Sequence, residues 1–138
     1  METARQILEE KGYTCVLRRG ETVHTATERG VKPLVRWLVS GLDARGFSAA
    51  DKVVGKATAY LYVLLDVREV YAQVMSESAK EVLIRHGITA APGKLVPHII
   101  NRQGTGLCPF EAAVMDIHTP EEAYTAIREK MREMNIAL

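Results

Sequence analysis

The sequence predicts an α/β fold, a mixed sheet covered by helices in a three-layer α/β sandwich, with residues 1–138 forming a single domain. Three observations carry that expectation. A period-two pattern broken by a turn stands near the start of the chain, strand-like runs then alternate with helix-like runs, and helix start signals recur between them. At 138 residues the chain is long enough to bury a core without metal or disulfide staples.

The elements follow in order. Ala4 to Lys11 reads as a short helix closed by Gly12. Tyr13–Arg18 and Thr22–Ala26 alternate around Arg19-Gly20-Glu21 as a hairpin, with Tyr13, Cys15 and Leu17 on one face, so Cys15 is expected in the core. Val31–Val39 places Leu34, Trp37 and Leu38 at helical spacing before Gly41. Ser48 stands three residues before Asp51, the spacing of a capping box, and is expected to open the longest helix, whose apolar body runs from Val53 to Leu65. Glu69–Met75 reads as a buried strand and Ser76–His86 as a helix ending at Gly87. Ile88–Ala91 and Val96–Ile100 read as short strands. Pro109–Met115 is a short helix, and Thr119-Pro120-Glu121-Glu122 caps a last helix that reaches about Met134.

Composition narrows the function. Hydrophobic residues make up 47% and charged residues 25%, a globular balance that argues against disorder. A formal net charge of +1 supplies no global field toward nucleic acid or an anionic membrane, and no specific nucleic-acid binding is expected. Two cysteines, Cys15 and Cys108, are too few for a disulfide framework. The start, Met1-Glu2-Thr3-Ala4-Arg5, lacks a signal-peptide pattern, and the longest apolar run, Ala57–Leu65, is too short to span a bilayer. A cytoplasmic protein off the membrane is expected, with reduced thiols.

Cys108 is the most functional-looking residue. Cys108-Pro109-Phe110-Glu111 has the grammar of Thr119-Pro120-Glu121-Glu122, with a thiol in place of the capping hydroxyl. A thiol caps poorly, whereas a thiolate at a helix start is stabilised by free N–H groups. A nucleophile or redox thiol explains the exchange; a small buried core residue explains it equally well. The loop before it, Asn101-Arg102-Gln103-Gly104-Thr105-Gly106, could turn backbone N–H groups toward an anion, or be a plain glycine turn.

Two further groups deserve note. Lys52 and Lys56, four apart on the expected helix, share a face that either contacts an anionic ligand or is simply solvated. Gly55 between them would cost about 1 kcal/mol against alanine in a helix interior, so a ligand or, equally, a strand or crossing helix is expected to approach the backbone there. Ser76 and Glu77 open a helix just beyond a strand, where ligands gather in open α/β sheets, although an ordinary helix start explains them too. His24, His86, His98 and His118 are scattered without metal-ligand spacing, and no metal or cofactor is implied.

Ala50-Asp51-Lys52-Val53-Val54-Gly55-Lys56-Ala57, Glu69-Val70-Tyr71-Ala72, and Ile100-Asn101-Arg102 with Gly104-Thr105-Gly106-Leu107-Cys108-Pro109 resemble a prokaryotic family of domains of unknown function placed in the cytidine deaminase-like superfamily. The resemblance runs from the hairpin to about Val114 and implies a three-layer fold opened by an antiparallel hairpin. It does not bring deaminase activity. Deaminases carry His/Cys-x-Glu and Pro-Cys-x-x-Cys at two helix starts, where Asp51-Lys52 and Ser76-Glu77-Ser78-Ala79 are expected here. Without those ligands zinc cannot supply hydroxide. On such a fold the two helix starts border one crevice that the segment before Cys108 would close.

Three readings follow. The first is zinc-independent binding or turnover of a small molecule, nucleotide-like or an anionic metabolite. Lys52 and Lys56 would hold its anionic group, Asp51 or Glu77 would manage a proton, and Cys108 would act as nucleophile or redox thiol. The second is a non-catalytic ligand sensor or regulatory subunit. The third is a structural homo-oligomer using its sheet edge or the Trp37 helix.

Overall fold

The computed structural model of the protein describes residues 3–101 and 103–138. Helix α1 (Ala4–Lys11) leads into strands β1 (Cys15–Arg19) and β2 (Thr22–Ala26), helix α2 (Lys32–Ser40), strand β3 (Ser48–Val54) and helix α3 (Lys56–Leu65). Strand β4 (Glu69–Ser76), helix α4 (Glu77–Arg85), strand β5 (Thr89–Val96) and helices α5 (Pro109–Val114) and α6 (Pro120–Glu133) complete the order. The strands form one five-stranded mixed sheet, β2-β1-β3-β4-β5. The β1 strand pairs antiparallel with both β2 and β3, while β3, β4 and β5 run parallel.

Local chemistry explains the ends of several elements. The Thr3 hydroxyl accepts from Gln6 N at 3.1 Å and the Gln6 side chain accepts from Thr3 N at 2.7 Å, a reciprocal cap that starts α1. Thr119 accepts from Glu122 N at 3.3 Å and Pro120 follows it, which starts α6. In the hairpin Arg19 faces Thr22, and Gly20 supplies the left-handed turn between them at φ 60°.

Alternation along the strands sends apolar side chains both ways. Cys15, Leu17 and Ala49 join the main core with α2, α3 and α4, whereas Val16 and Ala50 join a smaller cluster with Ala4 and Leu8 of α1. Both sides of the β1–β3 pair are therefore covered. The α3 helix is buried almost all round, with Tyr60, Leu61 and Tyr62 inaccessible, because α2, α4 and α6 pack around it. Burying a side chain such as Leu61 stabilises the fold by roughly 1.5–3 kcal/mol.

Three expectations need correction. The segment from Ser48 is not the start of the longest helix. Ser48–Val54 is a central strand paired on both sides, α3 begins only at Lys56, and the longest helix is α6, at 14 residues. The Ser48/Asp51 spacing imitates a capping box, but the backbone groups of this segment are satisfied across the sheet instead. Consequently Lys52 lies on a strand and Lys56 on a helix, and the two do not share a helix face. Finally, Val96–Ile100 is not a strand: β5 absorbs Pro92 and Gly93 and ends at Val96, and Ile100 makes only a single bridge to Leu107. Pro92 is tolerated because β5 is an edge strand, which pairs on one side only.

Candidate functional site

Where β3 gives way to α3, and beside the start of β1 at Thr14 and Cys15, lies a cavity of about 700 Å³. Its polar wall carries Cys15, Asp51, Asn101, Cys108 and Glu111, and Arg29 and Lys52 also line it. Val31, Ile99, Phe110 and Ile136 supply much of the apolar wall.

Asp51 stands at the centre of this wall. It faces Cys15 across the antiparallel β1–β3 pair and points to the α3 side of the sheet. The Tyr62 hydroxyl donates to Asp51 Oδ2 at 2.7 Å, Val53 N donates to Oδ1 at 3.3 Å, and Cys15 Sγ lies 3.0 Å from the same hydroxyl. Tyr62 has one hydrogen to give. When it serves the Asp51 carboxylate, the Cys15 thiol must donate to the tyrosine oxygen, so a chain of hydrogen bonds runs from Cys15 through Tyr62 to Asp51. Burial pushes the Asp51 carboxyl up to about 7, against the opposing pull of the bonds from Tyr62 and the backbone. Burial, with the nearby Asp51 charge, also pushes Cys15 and Tyr62 well above their ordinary values, so both stay neutral around Asp51.

Glu111 belongs to α5 but serves α3. Its Oε1 accepts from Lys56 N at 2.9 Å and its Oε2 from Ala57 N at 3.1 Å, so a buried carboxylate satisfies the first donors of a neighbouring helix. Gly55, the N-cap of α3, is extended, and a Cβ on it would collide with that carboxylate. Gly55 is therefore not inside a helix as expected but caps one, and the close approach to its backbone is made by a side chain of another helix, Glu111 of α5, rather than by a ligand or a strand.

Cys108 is the N-cap of α5, makes no capping bond with its thiol, and is half-buried at the cavity wall. The loop before it folds on itself. Asn101 N donates to Gly106 O at 2.8 Å, Gly104 N to Asn101 O at 3.0 Å, and Thr105 N to Asn101 Oδ1 at 3.0 Å. The N–H groups of Gly104 and Thr105 thus serve the loop, and neither of these residues nor Gly106 lines the cavity. Asn101 does, as the residue that closes the turn. Arg102 lies outside the described residues.

Of the residues singled out in the sequence, Asp51, Lys52, Asn101 and Cys108 meet at this cavity. Lys56 does not: its Nζ donates to Met115 O at 3.0 Å. Ser76 is buried and caps α4 by accepting from Ala79 N at 3.1 Å. Glu77 is exposed on a separate open depression of about 410 Å³ between α4 and β5. Nothing in the sequence pointed to Tyr62, to Glu111 as a partner of α3 rather than of its own helix start, or to the part Cys15 plays at the wall. Gly55 was the one signal that something would fill the start of α3. Among the described residues, no three His, Cys, Asp or Glu side chains gather as a metal site, and no helix is long and apolar enough to cross a membrane.

A mixed α/β sheet with a walled cavity at the start of α3, lined by a buried carboxyl and by the thiol of a cysteine at a helix N-cap position, defines the class of molecule. The chain belongs to the TM1506 family, described as a domain of unknown function (DUF1893), which matches residues 3–131. It is similar to the crystal structure of a DUF1893 family protein (TM1506) from Thermotoga maritima, at 27% identity and a TM-score of 0.82, over 90% of this chain and 84% of that one. Nothing among the curated proteins matches. The family carries no assigned function.

Proposed function

We propose that the protein is a cytoplasmic small-molecule-binding domain of the deaminase-like, three-layer type. It holds its ligand in the cavity between β3, α3 and the loop before α5, and Asp51 exchanges a proton with that ligand. The observation that carries this reading is Asp51 itself: a buried carboxyl at the wall of a cavity of about 700 Å³, raised to about 7 by burial and framed by Tyr62 and Cys15. A carboxyl in that range gives and takes protons near neutral pH, as a general acid or base must. Cys108, half-buried at the same wall, is the candidate nucleophile.

Zinc does not fit this arrangement. The helix starts that would carry its ligands hold Gly55-Lys56-Ala57 and Ser76-Glu77-Ser78, without histidine or cysteine, and Glu111 already occupies the first N–H groups of α3. No step through a metal is part of the proposal.

The test is a thermal-shift screen of small metabolites on the wild-type chain, followed by amide NMR on any compound that stabilises it. A ligand present at 100 times its Kd should stabilise by about 2.7 kcal/mol and move the amide signals of Asp51, Asn101 and Cys108. Stabilising compounds that perturb only the α4–β5 depression would refute the assignment.

A further inference from the structure

The helix start beside the cavity would ordinarily favour an anion, because its free N–H groups carry partial positive charge. Here a second carboxyl group of the chain itself fills it. Glu111 is buried, accepts from Lys56 N and Ala57 N, and lines the same cavity as Asp51. The inner wall therefore brings together two buried carboxyl groups and the neutral thiol of Cys15, while the α3 donors are already occupied. Among the described residues, the cations at the cavity are Arg29 and Lys52, and both are exposed to solvent, which screens them. Much of the remaining wall is apolar. An anion pushed to the inner end would lose its hydration and meet two carboxyl groups; an ammonium group would meet acceptors.

We infer that the cavity takes a ligand with an apolar body and an amine or similar cationic N–H donor at its inner end, facing Asp51 and Glu111, and refuses a carboxylate or phosphate there. This rests on the cavity being a ligand site, as proposed above, and it reverses the anionic substrate expected from Lys52 and Lys56. The neutral-to-charged range of Asp51 supports it, since a bound cation would favour the carboxylate form.

Three probes of one shape separate the two claims. Benzylamine, benzyl alcohol and benzoate are titrated into the labelled wild-type chain at roughly neutral pH, where the amine is charged and the benzoate ionised, and binding is followed at the amides of Asp51, Cys108 and Glu111. The expected result is benzylamine tighter than benzoate by about ten-fold or more, with benzyl alcohol between them, and a preference that shrinks in the Asp51→Asn variant. If benzyl alcohol binds and benzoate binds as tightly as benzylamine, the charge selection is wrong while the cavity stands as a ligand site. If none of the three perturbs the cavity, both claims fall.

Discussion

The carboxylate of Glu111 occupies the space that a side chain on Gly55 would need, and from there it accepts the backbone N–H groups of Lys56 and Ala57 at 2.9 and 3.1 Å. One contact thus ties α5, with Cys108 at its start, to the first turn of α3 at the floor of the cavity. Removing the carboxylate leaves two backbone donors, one buried and one part-buried, without it, and adding a methyl group at Gly55 expels it.

Gly55→Ala and Glu111→Ala should each destabilise the protein by about 1–3 kcal/mol in urea unfolding, the cost of unsatisfied buried groups. Their effects should not add. In the Glu111→Ala background the added methyl has room, so Gly55→Ala should cost clearly less than in the wild type. Simple additivity would show that the two residues are independent.

Stability should depend on Asp51 in a definite direction. Its carboxyl is raised to about 7 in the folded chain, against about 3.9 when unfolded. The folded state therefore binds the extra proton between these values, and its advantage is complete below pH ~4 and lost as pH rises through ~7. Denaturant melts of Asp51→Asn, which keeps an acceptor for Tyr62, should gain on the wild type from pH 5 to 8, by roughly a few kcal/mol in all. A constant difference across that range would contradict the assignment.

Tyr62→Phe removes the hydroxyl that donates to Asp51 and meets Cys15. Because the Tyr62 bond holds the Asp51 carboxyl down, its loss should raise that carboxyl further and carry the pH-dependent loss of stability to higher pH. A loss of about 1–2 kcal/mol at pH 6 should accompany the shift, measured by the same melts. An unchanged pH profile would mean that the hydroxyl does not govern Asp51.

The two thiols should behave differently. Cys15 is 2% exposed and held neutral by its surroundings, whereas Cys108 is half-buried at the cavity wall. Mass spectrometry after iodoacetamide treatment should find Cys108 modified in the folded chain and Cys15 only after unfolding. A cavity ligand should slow the modification of Cys108, and equal labelling of both thiols would argue against this arrangement.

Much of the architecture was legible where local chemistry decides it. The hairpin around Gly20, the helix closed by Gly12 and the Thr119-Pro120 start all rest on contacts a few residues apart. The β3 strand was hidden because its identity depends on pairing with β1 and β4, while Ser48 and Asp51 happen to carry capping-box spacing. Asp51 and Cys108 stood out in the sequence. Their partners did not: Tyr62 sits inside an apolar helical run, Cys15 looks like core, and Glu111 reaches α3 from 55 residues away. Gly55 announced a close approach without naming what makes it.

The most direct measurement is carbon-13 NMR of the Asp51 side-chain carboxyl, titrated with and without saturating benzylamine. The expected midpoint lies near 7 in the free protein and moves lower when the amine is bound. A midpoint near the ordinary value of about 4, or one that the amine leaves unmoved, would contradict it.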